Sequence, residues 1–404
     1  PVTPLRDAFL NLLAAALGNA HAPVPELTAD QWQELFALAA EHKVLPLIFE
    51  PAYPQVARLD PALAAGVKRQ VRLQVVAQTI RTAEFLELYR ALEEAGATPL
   101  VVKGIVCRQL YPRADHRPSA DEDLWIPPEQ YPLCHGVMTR LGLVTGETDP
   151  DGVYEVPYRR AGSSLYIELH KHLFPPGFRV ADAELNGFFS NARHVIEQVP
   201  GGSLRTLHPT DHMTYLLFHA FKHFLHSGFG IRQICDILLF AHRHGGAIDW
   251  EQVRLSCRAI RAEKFAAALF AIGTRHLGFG PVGPWGSLYA DEKPLLQDVL
   301  CAGVYGSADL SRQHSSTITL NAVADSRRGK RGGSILKTVF PPAKALQKDY
   351  PYLKKNAALL PLAWTQRLIK YGRESGTADN RATESVRVGR ERVALLRQYG
   401  ILDE

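Results

Sequence analysis

A strand that ends on Lys-Gly and a second strand that carries Asp-x-Asp 17 residues later constrain this chain more than any other feature. The first is the apolar run Pro99-Leu100-Val101-Val102, closed by Lys103-Gly104. A segment with turn signals follows, and a strand over 120–126 then carries Asp121 and Asp123. Residues two apart on a strand project to the same face, so these carboxylates stand side by side. Such a pair suits one or two Mg²⁺ (or Mn²⁺) ions, which take oxygen ligands and bind triphosphate oxygens as well. Gly104 lacks a Cβ where a phosphate has to approach backbone N–H groups, and Lys103 adds positive charge there. Arg117-Pro118-Ser119 stands just before the acids. Glu122 faces away from the metal side, toward the core, and requires either a buried partner or an edge strand.

Around this stretch the chain changes character three times. Residues 1–96 read as an N-terminal helical region. Thr28 and Gln31 form a capping-box pattern opening a helix over 31–42, and Pro51 and Pro54 mark a turn. A long periodic segment then runs over 61–95 and stops at Gly96, with Val71, Val75, Ile80, Phe85, Leu88 and Leu92 as its apolar stripe. Residues 97–207 read as α/β, with strands at 98–103, 120–126, 142–147, 152–158 and 163–170 and helices at 104–111 and 128–141. In the last strand Tyr166, Glu168 and His170 share one face, and Leu165, Ile167 and Leu169 the other.

Residues 208–325 return to helix, starting at Pro209-Thr210-Asp211. His212, Leu216, His219, His223 and His226 fall on one helical face. Three readings of that face stay open: a packed or surface histidine stripe, a nucleotide- or acceptor-binding face, and a zinc pair at His219 and His223. Ala220 after His219 departs from the His-Glu-x-x-His pattern of zinc proteases. Arg232 and Asp236 are spaced i, i+4 on the next helix. From about 325 a basic, Gly- and Ser-rich linker leads into a basic helical C-terminal extension, 326–404.

Taken together, these residues resemble the polymerase-β-type nucleotidyltransferase superfamily, and within it the bacterial uncharacterised nucleotidyltransferases. The matching positions are Lys103-Gly104, Leu110-Tyr111-Pro112, Arg117-Pro118, Asp121, Asp123 and Leu124, then Glu168-Leu169-His170, and then His219, His223, Arg232 and Asp236. Ala120 stands where a glycine is usual, Glu122 where an apolar residue is usual, and Lys171 where an aromatic one is. Segments such as Tyr350-Pro351-Tyr352 and Gly389-Arg390 also resemble the C-terminal part of longer members, so the likeness spans nearly the whole chain.

The resemblance implies an α+β fold, with a polymerase-β-like core of mixed sheet and helices flanked by N-terminal and C-terminal helical regions. It implies transfer of a nucleoside monophosphate from an NTP, ATP among them, to a hydroxyl or phosphate, releasing pyrophosphate. Asp121, Asp123 and Glu168 would be the catalytic and metal-binding acids. Lys103, Gly104, Arg117, Ser119, His219, His223, Arg232 and Asp236 would bind nucleotide, with His170 near the acceptor or behind the acids. A small-molecule or peptide acceptor is favoured over tRNA or protein, and a non-catalytic scaffold on this fold is the competing class.

Composition narrows the setting. At 404 residues the chain is long enough for two or three domains, and 46% hydrophobic with 22% charged residues is ordinary for a water-soluble core. No apolar run reaches the length of a membrane span. Residues 10–17 imitate a signal peptide, but only Arg6 is positive before them and Asp7 and Asn11 interrupt the pattern, so an amphipathic first helix is the better reading. Five scattered cysteines without a C-x-x-C point to reduced thiols and a cytoplasmic protein. Residues 325–404 hold 17 Lys/Arg against 8 Asp/Glu, a surplus of nine that leaves the rest of the chain at −4. Such a tail can serve RNA or simply be a solvated helical surface that buttresses the catalytic part, and the buttress is favoured because apolar residues interleave with the charges.

Overall fold

Local chemistry fixes the first helices. The computed structural model describes residues 4–147, 149–226, 228–302 and 391–402. Helix α1 (Pro4–Ala16) buries Phe9, Leu12 and Leu13. Helix α2 (Ala29–Glu41) starts two residues earlier than the sequence suggests, and its capping box is present: the Gln31 N–H donates to the Thr28 hydroxyl, and the Thr28 N–H to the Gln31 side chain. Helix α3 (Leu45–Leu59) runs straight through Pro51 and Pro54, where a turn is expected. Burial of Leu47, Ile48, Phe49, Ala52 and Val56 offsets the lost proline hydrogen bonds.

Helix α4 (Pro61–Glu94) is 34 residues long. Asp60 caps it by accepting from the Leu63 N–H at 2.9 Å, and Gly96 ends it at a φ of +90°, where the Ala97 N–H returns to the Leu92 carbonyl at 3.0 Å. Of its apolar stripe, Val71, Phe85, Leu88 and Leu92 are buried, whereas Ile80 is 54% exposed. The helix is too long for one face to be covered throughout.

The core that follows is a mixed sheet. Its strands are β1 (Leu100–Val102), β2 (Glu122–Trp125), β3 (Leu143–Val144), β4 (Glu155–Arg160), β5 (Tyr166–His170), and, after a small β6 (Arg179–Val180) and β7 (Ala183–Glu184) pair, β8 (His194–Val199) and β9 (Gly202–Leu207). The seven-stranded order is β3-β4-β5-β2-β1-β9-β8. β1 runs antiparallel to β2 and parallel to β9, and β2 runs parallel to β5. Helix α5 (Gly104–Arg108) follows β1, and α6 (Tyr131–Arg140) follows β2. Val101, Leu124, Val156, Ile167 and Leu169 pack on α4 through Phe85, Leu88 and Leu92, and on α6 through Cys134, Val137 and Met138. The hairpin β8–β9 lies outside the strands expected from the sequence, although Pro200-Gly201-Gly202 between two alternating runs is a hairpin signal.

Five longer helices follow the sheet: α7 (Pro209–His226), α8 (Ile231–His244), α9 (Trp250–Ala259), α10 (Glu263–His276) and α11 (Lys293–Ala302). The architecture is therefore α+β, with helical regions on both sides of the sheet in sequence. The chain divides into two compact units. The first comprises residues 1–220 and 230–296, and the second 221–229 with 297–404. In the second, Arg392 pairs with Asp298 at 2.9 Å and donates to the Phe224 carbonyl. The linker at 325 and most of the basic extension lie outside the described residues.

Glu122 is the exception to an otherwise apolar covered face. β2 sits between β5 and β1, so it is no edge strand, and the carboxylate is 0% exposed. Its partner is Arg108 of α5, which also donates to Ser119 at 2.9 Å and to Thr82 of α4 at 3.2 Å. Removing one member of such a pair leaves an uncompensated charge in the core, at a cost of about 3–5 kcal/mol, whereas replacing both by apolar groups is often neutral. Glu122→Leu alone is therefore expected to lower the urea-unfolding free energy by about that much, and adding Arg108→Met to restore most of it. A single substitution as stable as the parent would show that the two charges do not depend on each other.

Candidate active site

The site begins at a strained turn. Lys103 leaves β1 with φ +59° and ψ −128°, and Gly104 follows at φ +39°. A side-chain-bearing residue in that region costs roughly 1–3 kcal/mol, so its surroundings have to hold it. His212 of α7 does so by accepting from the Lys103 N–H at 3.3 Å, while Glu122 accepts from the Ile105 N–H at 3.0 Å. A Cβ on Gly104 would run into the Glu122 carboxylate, so packing alone requires this glycine. His212 is fully buried and its other ring nitrogen meets the Thr206 hydroxyl at 3.4 Å. Accepting from Lys103 requires an unprotonated Nε2, and burial, with the nearby His244, holds the imidazole pKa down to about 3.

On the opposite face of β2 from Glu122 stands Asp123, in register with Glu168 on the neighbouring parallel strand. Asp123 Oδ2 is 3.1 Å from Lys103 Nζ, and Oδ1 is 3.0 Å from His170 Nε2. That imidazole nitrogen lies 3.7 Å from Glu168 as well, and its Nδ1 lies 3.6 Å from Glu155. Burial opposes ionisation of Asp123, but Lys103 and His170 outweigh it and hold the carboxyl well below its usual range. Burial likewise opposes the His170 cation, yet Asp123, Glu168 and Glu155 lift its pKa to about 9. Glu168 is shifted upward, first by burial and then by the charges of Asp123 and Asp121, against its hydrogen bond to His170. At neutral pH the centre thus holds an ionised Asp123 between two cations.

Among the described residues, the group with metal-ligand spacing is Asp123, Glu168 and His170, whose ligand atoms lie within 4.8 Å of one another. Asp121 is outside that trio. It is half-buried and immediately precedes β2 rather than lying within it, although its charge reaches Glu168. Among the described residues no group of three or more such ligands includes His219 or His223. His219 is instead 3.0 Å from the Lys103 ammonium, and His223, one turn on, belongs to the second compact unit.

The remaining expected nucleotide contacts form a buried network of their own. Arg117 grips Asp236 of α8 through Nε at 3.0 Å and a terminal nitrogen at 2.5 Å, and Tyr111 donates to the same carboxylate at 2.8 Å. Burial opposes the Asp236 charge, but Arg117 overrides it and the pKa falls. Arg232 donates to the Pro118 carbonyl rather than pairing with Asp236 one turn along. The Ser119 hydroxyl accepts from Arg108 and Arg117, and the Ser119 N–H donates to Gln78 of α4 at 2.7 Å. Arg117, Ser119, Arg232 and Asp236 therefore clamp the segment leading into β2 against α8 and α4. Gln78, Arg108 and Tyr215 were not singled out from the sequence. Arg108 could have been, as the one charge in the apolar run Ile105-Val106-Cys107, and Tyr215 as the residue between His212 and His219 on their shared face.

The model of a family described as uncharacterised nucleotidyltransferase matches residues 28–278. No curated protein matches. The solution structure of the antibiotic-resistance factor ANT(2'')-Ia is similar at 17% identity, over 49% of this chain and 98% of that one, with a TM-score of 0.33.

The neutral state of His212 makes the Lys103 turn acid-sensitive. Its folded pKa, about 3, lies below the ordinary 6.5, so the stability it contributes is complete above pH 6.5 and is lost as pH falls toward 3. Over that window unfolding takes up one additional proton, a slope of about 1.4 kcal/mol per pH unit. Urea unfolding at pH 6, 5 and 4 should show His212→Gln with a shallower slope than the parent by about that amount. Identical slopes would mean that His212 is not held neutral.

Proposed function

The chain belongs to the uncharacterised nucleotidyltransferase family, and from that premise we propose that it moves a nucleoside monophosphate from an NTP, with ATP the first to test, to a hydroxyl or phosphate of a small-molecule or peptide acceptor. The observation that carries this is the in-register placement of Asp123 and Glu168 on adjacent strands, with Lys103 against Asp123 and Asp121 just ahead of β2. Converging carboxylate oxygens fit a hard divalent cation, and His170, already a charged donor to Asp123, fits the role of orienting a ligating carboxylate better than that of a ligand. Asp121, Asp123 and Glu168 would hold Mg²⁺ (or Mn²⁺), which when bound neutralises triphosphate charge and polarises the α-phosphorus.

Lys103, steadied by His219, neutralises the β- and γ-phosphates as they separate. The acceptor oxygen forms a bond to the α-phosphorus while the bond to the bridging oxygen breaks, and pyrophosphate leaves. Glu168, whose raised pKa suits it to proton transfer, takes the acceptor's proton at a carboxylate oxygen. Arg117, Ser119, Arg232 and Asp236 position the strand entry instead of touching nucleotide. All five cysteines are free, which agrees with a cytoplasmic setting, and no described helix is long and apolar enough to cross a membrane. A small acceptor rather than RNA is favoured because the site's own polar groups are spent on acids and phosphates.

The test is titration with each of the four NTPs and Mg²⁺, followed by release of labelled pyrophosphate with candidate acceptors. Asp121→Asn and Asp123→Asn should fold yet lose transfer by a factor on the order of 10³, and chelation of the divalent ion should do the same. Transfer at the parental rate by both variants would end this reading.

A further inference from the structure

Tyr215 is a buried side chain whose hydroxyl has no hydrogen-bond partner among the described residues. It lies on α7 three residues after His212 and four before His219, so it shares the face that covers Lys103. The residue is 1% exposed, with its ring 5.8 Å from that of Phe174, 6.3 Å from Phe189 and 5.7 Å from His219. Its hydroxyl makes no hydrogen bond to any described residue. Buried phenols normally find a partner, and the others near this sheet do. Tyr89 donates to the Pro99 carbonyl at 3.2 Å, Tyr111 to Asp236 at 2.8 Å, and Tyr158 shares its hydroxyl with Tyr131 at 3.1 Å.

The surroundings of the Tyr215 hydroxyl show what it awaits. His212 and His219, on the same face of α7, both meet Lys103, which itself pairs with Asp123, so Tyr215 lies on the side of the sheet that carries the acids. Lys103, Asp123, Glu168 and Asp121 act on it electrostatically. Burial, reinforced by those carboxylates, keeps the phenol protonated and therefore a donor. The oxygens of Asp123 are already taken, by His170 and Lys103. None of these carboxylates accepts from the hydroxyl, and an anionic phosphoryl oxygen brought in beside Asp123 supplies an acceptor.

Resting on the nucleotidyltransferase reading above, we propose that Tyr215 is a nucleotide-contacting residue whose hydroxyl donates to a non-bridging oxygen of the α-phosphoryl group. In that position it is a preorganised donor toward the oxygens on which charge builds as the phosphoryl group moves.

Tyr215→Phe isolates this role, because it removes one oxygen and leaves the ring packing intact. The full-length protein and this variant are compared by thermal unfolding without nucleotide, and by calorimetric titration with each NTP, with nucleoside monophosphate and with pyrophosphate, all with Mg²⁺. The variant is expected to melt no lower than the parent, to bind NTP and monophosphate about tenfold or more weakly, and to bind pyrophosphate as the parent does. Unchanged NTP affinity would overturn the assignment of Tyr215 alone. Equal weakening for pyrophosphate would move the hydroxyl to the leaving group and overturn the α-phosphoryl assignment. A melting temperature lower by several degrees would show a structural partner and overturn it too. A parent protein that binds neither NTP nor pyrophosphate would instead sink the nucleotidyltransferase reading beneath it.

Discussion

The ion pair of Glu122 and Arg108, closed off beneath the Lys103–Gly104 turn, is the interaction on which the rest of the site depends. Glu122 takes the Ile105 N–H and so fixes the start of α5. Arg108 reaches Thr82 on α4 and the hydroxyl of Ser119, and Ser119 is shared with Arg117, which holds Asp236 on α8. Three helices and a strand are thereby tied to one buried carboxylate. Buried pairs of this kind add little net stability, but they penalise every arrangement in which one member is left alone, and they specify geometry for that reason. Because Gly104 and Asp123 are chain neighbours of Lys103 and Glu122, fixing the lower face fixes the upper one.

Strand β2 divides its labour by residue parity. Glu122 and Leu124 belong to the covered face, where Leu124 joins the apolar core. Asp123 belongs to the other, where Lys103, His170 and Glu168 meet it. The two faces obey opposite electrostatic rules. Below, charges are matched one to one and shut away. Above, Asp123 is held by two cations, Lys103 and His170, and α7 brings up His212 and His219 against Lys103.

How far this was legible depends on the range of each signal. The capping box of α2, the Asp60 cap and the Gly96 stop of α4 are local, and the sequence displays them. The strand that carries Asp123 and the Glu168-Leu169-His170 alternation are legible for the same reason, since a period of two needs no knowledge of the partner strand, whereas Asp121 falls just ahead of β2 and not within it. What escaped was decided at a distance. Nothing near Pro51 and Pro54 announces that buried neighbours will carry a helix through them. Nothing in the i, i+4 spacing of Arg232 and Asp236 reveals that Asp236 goes to Arg117 and Arg232 to a carbonyl. Glu122 could be seen to need a partner, but choosing Arg108 over Arg113 or Arg117 requires the turn geometry that brings α5 back over β2.

The pairing of β2 with β5 has one more consequence. Asp123 lies opposite Glu168 only in the observed register, and a slip by one residue would set Ile167 or Leu169 there instead. The centre is therefore all-or-none with respect to assembly. A chain whose two strands zip together out of step would be inert instead of sluggish, and would leave apolar side chains facing water as a mark by which quality-control machinery can recognise it. Backbone hydrogen bonding serves as proofreading for the meeting of two carboxylates 45 positions apart in the sequence.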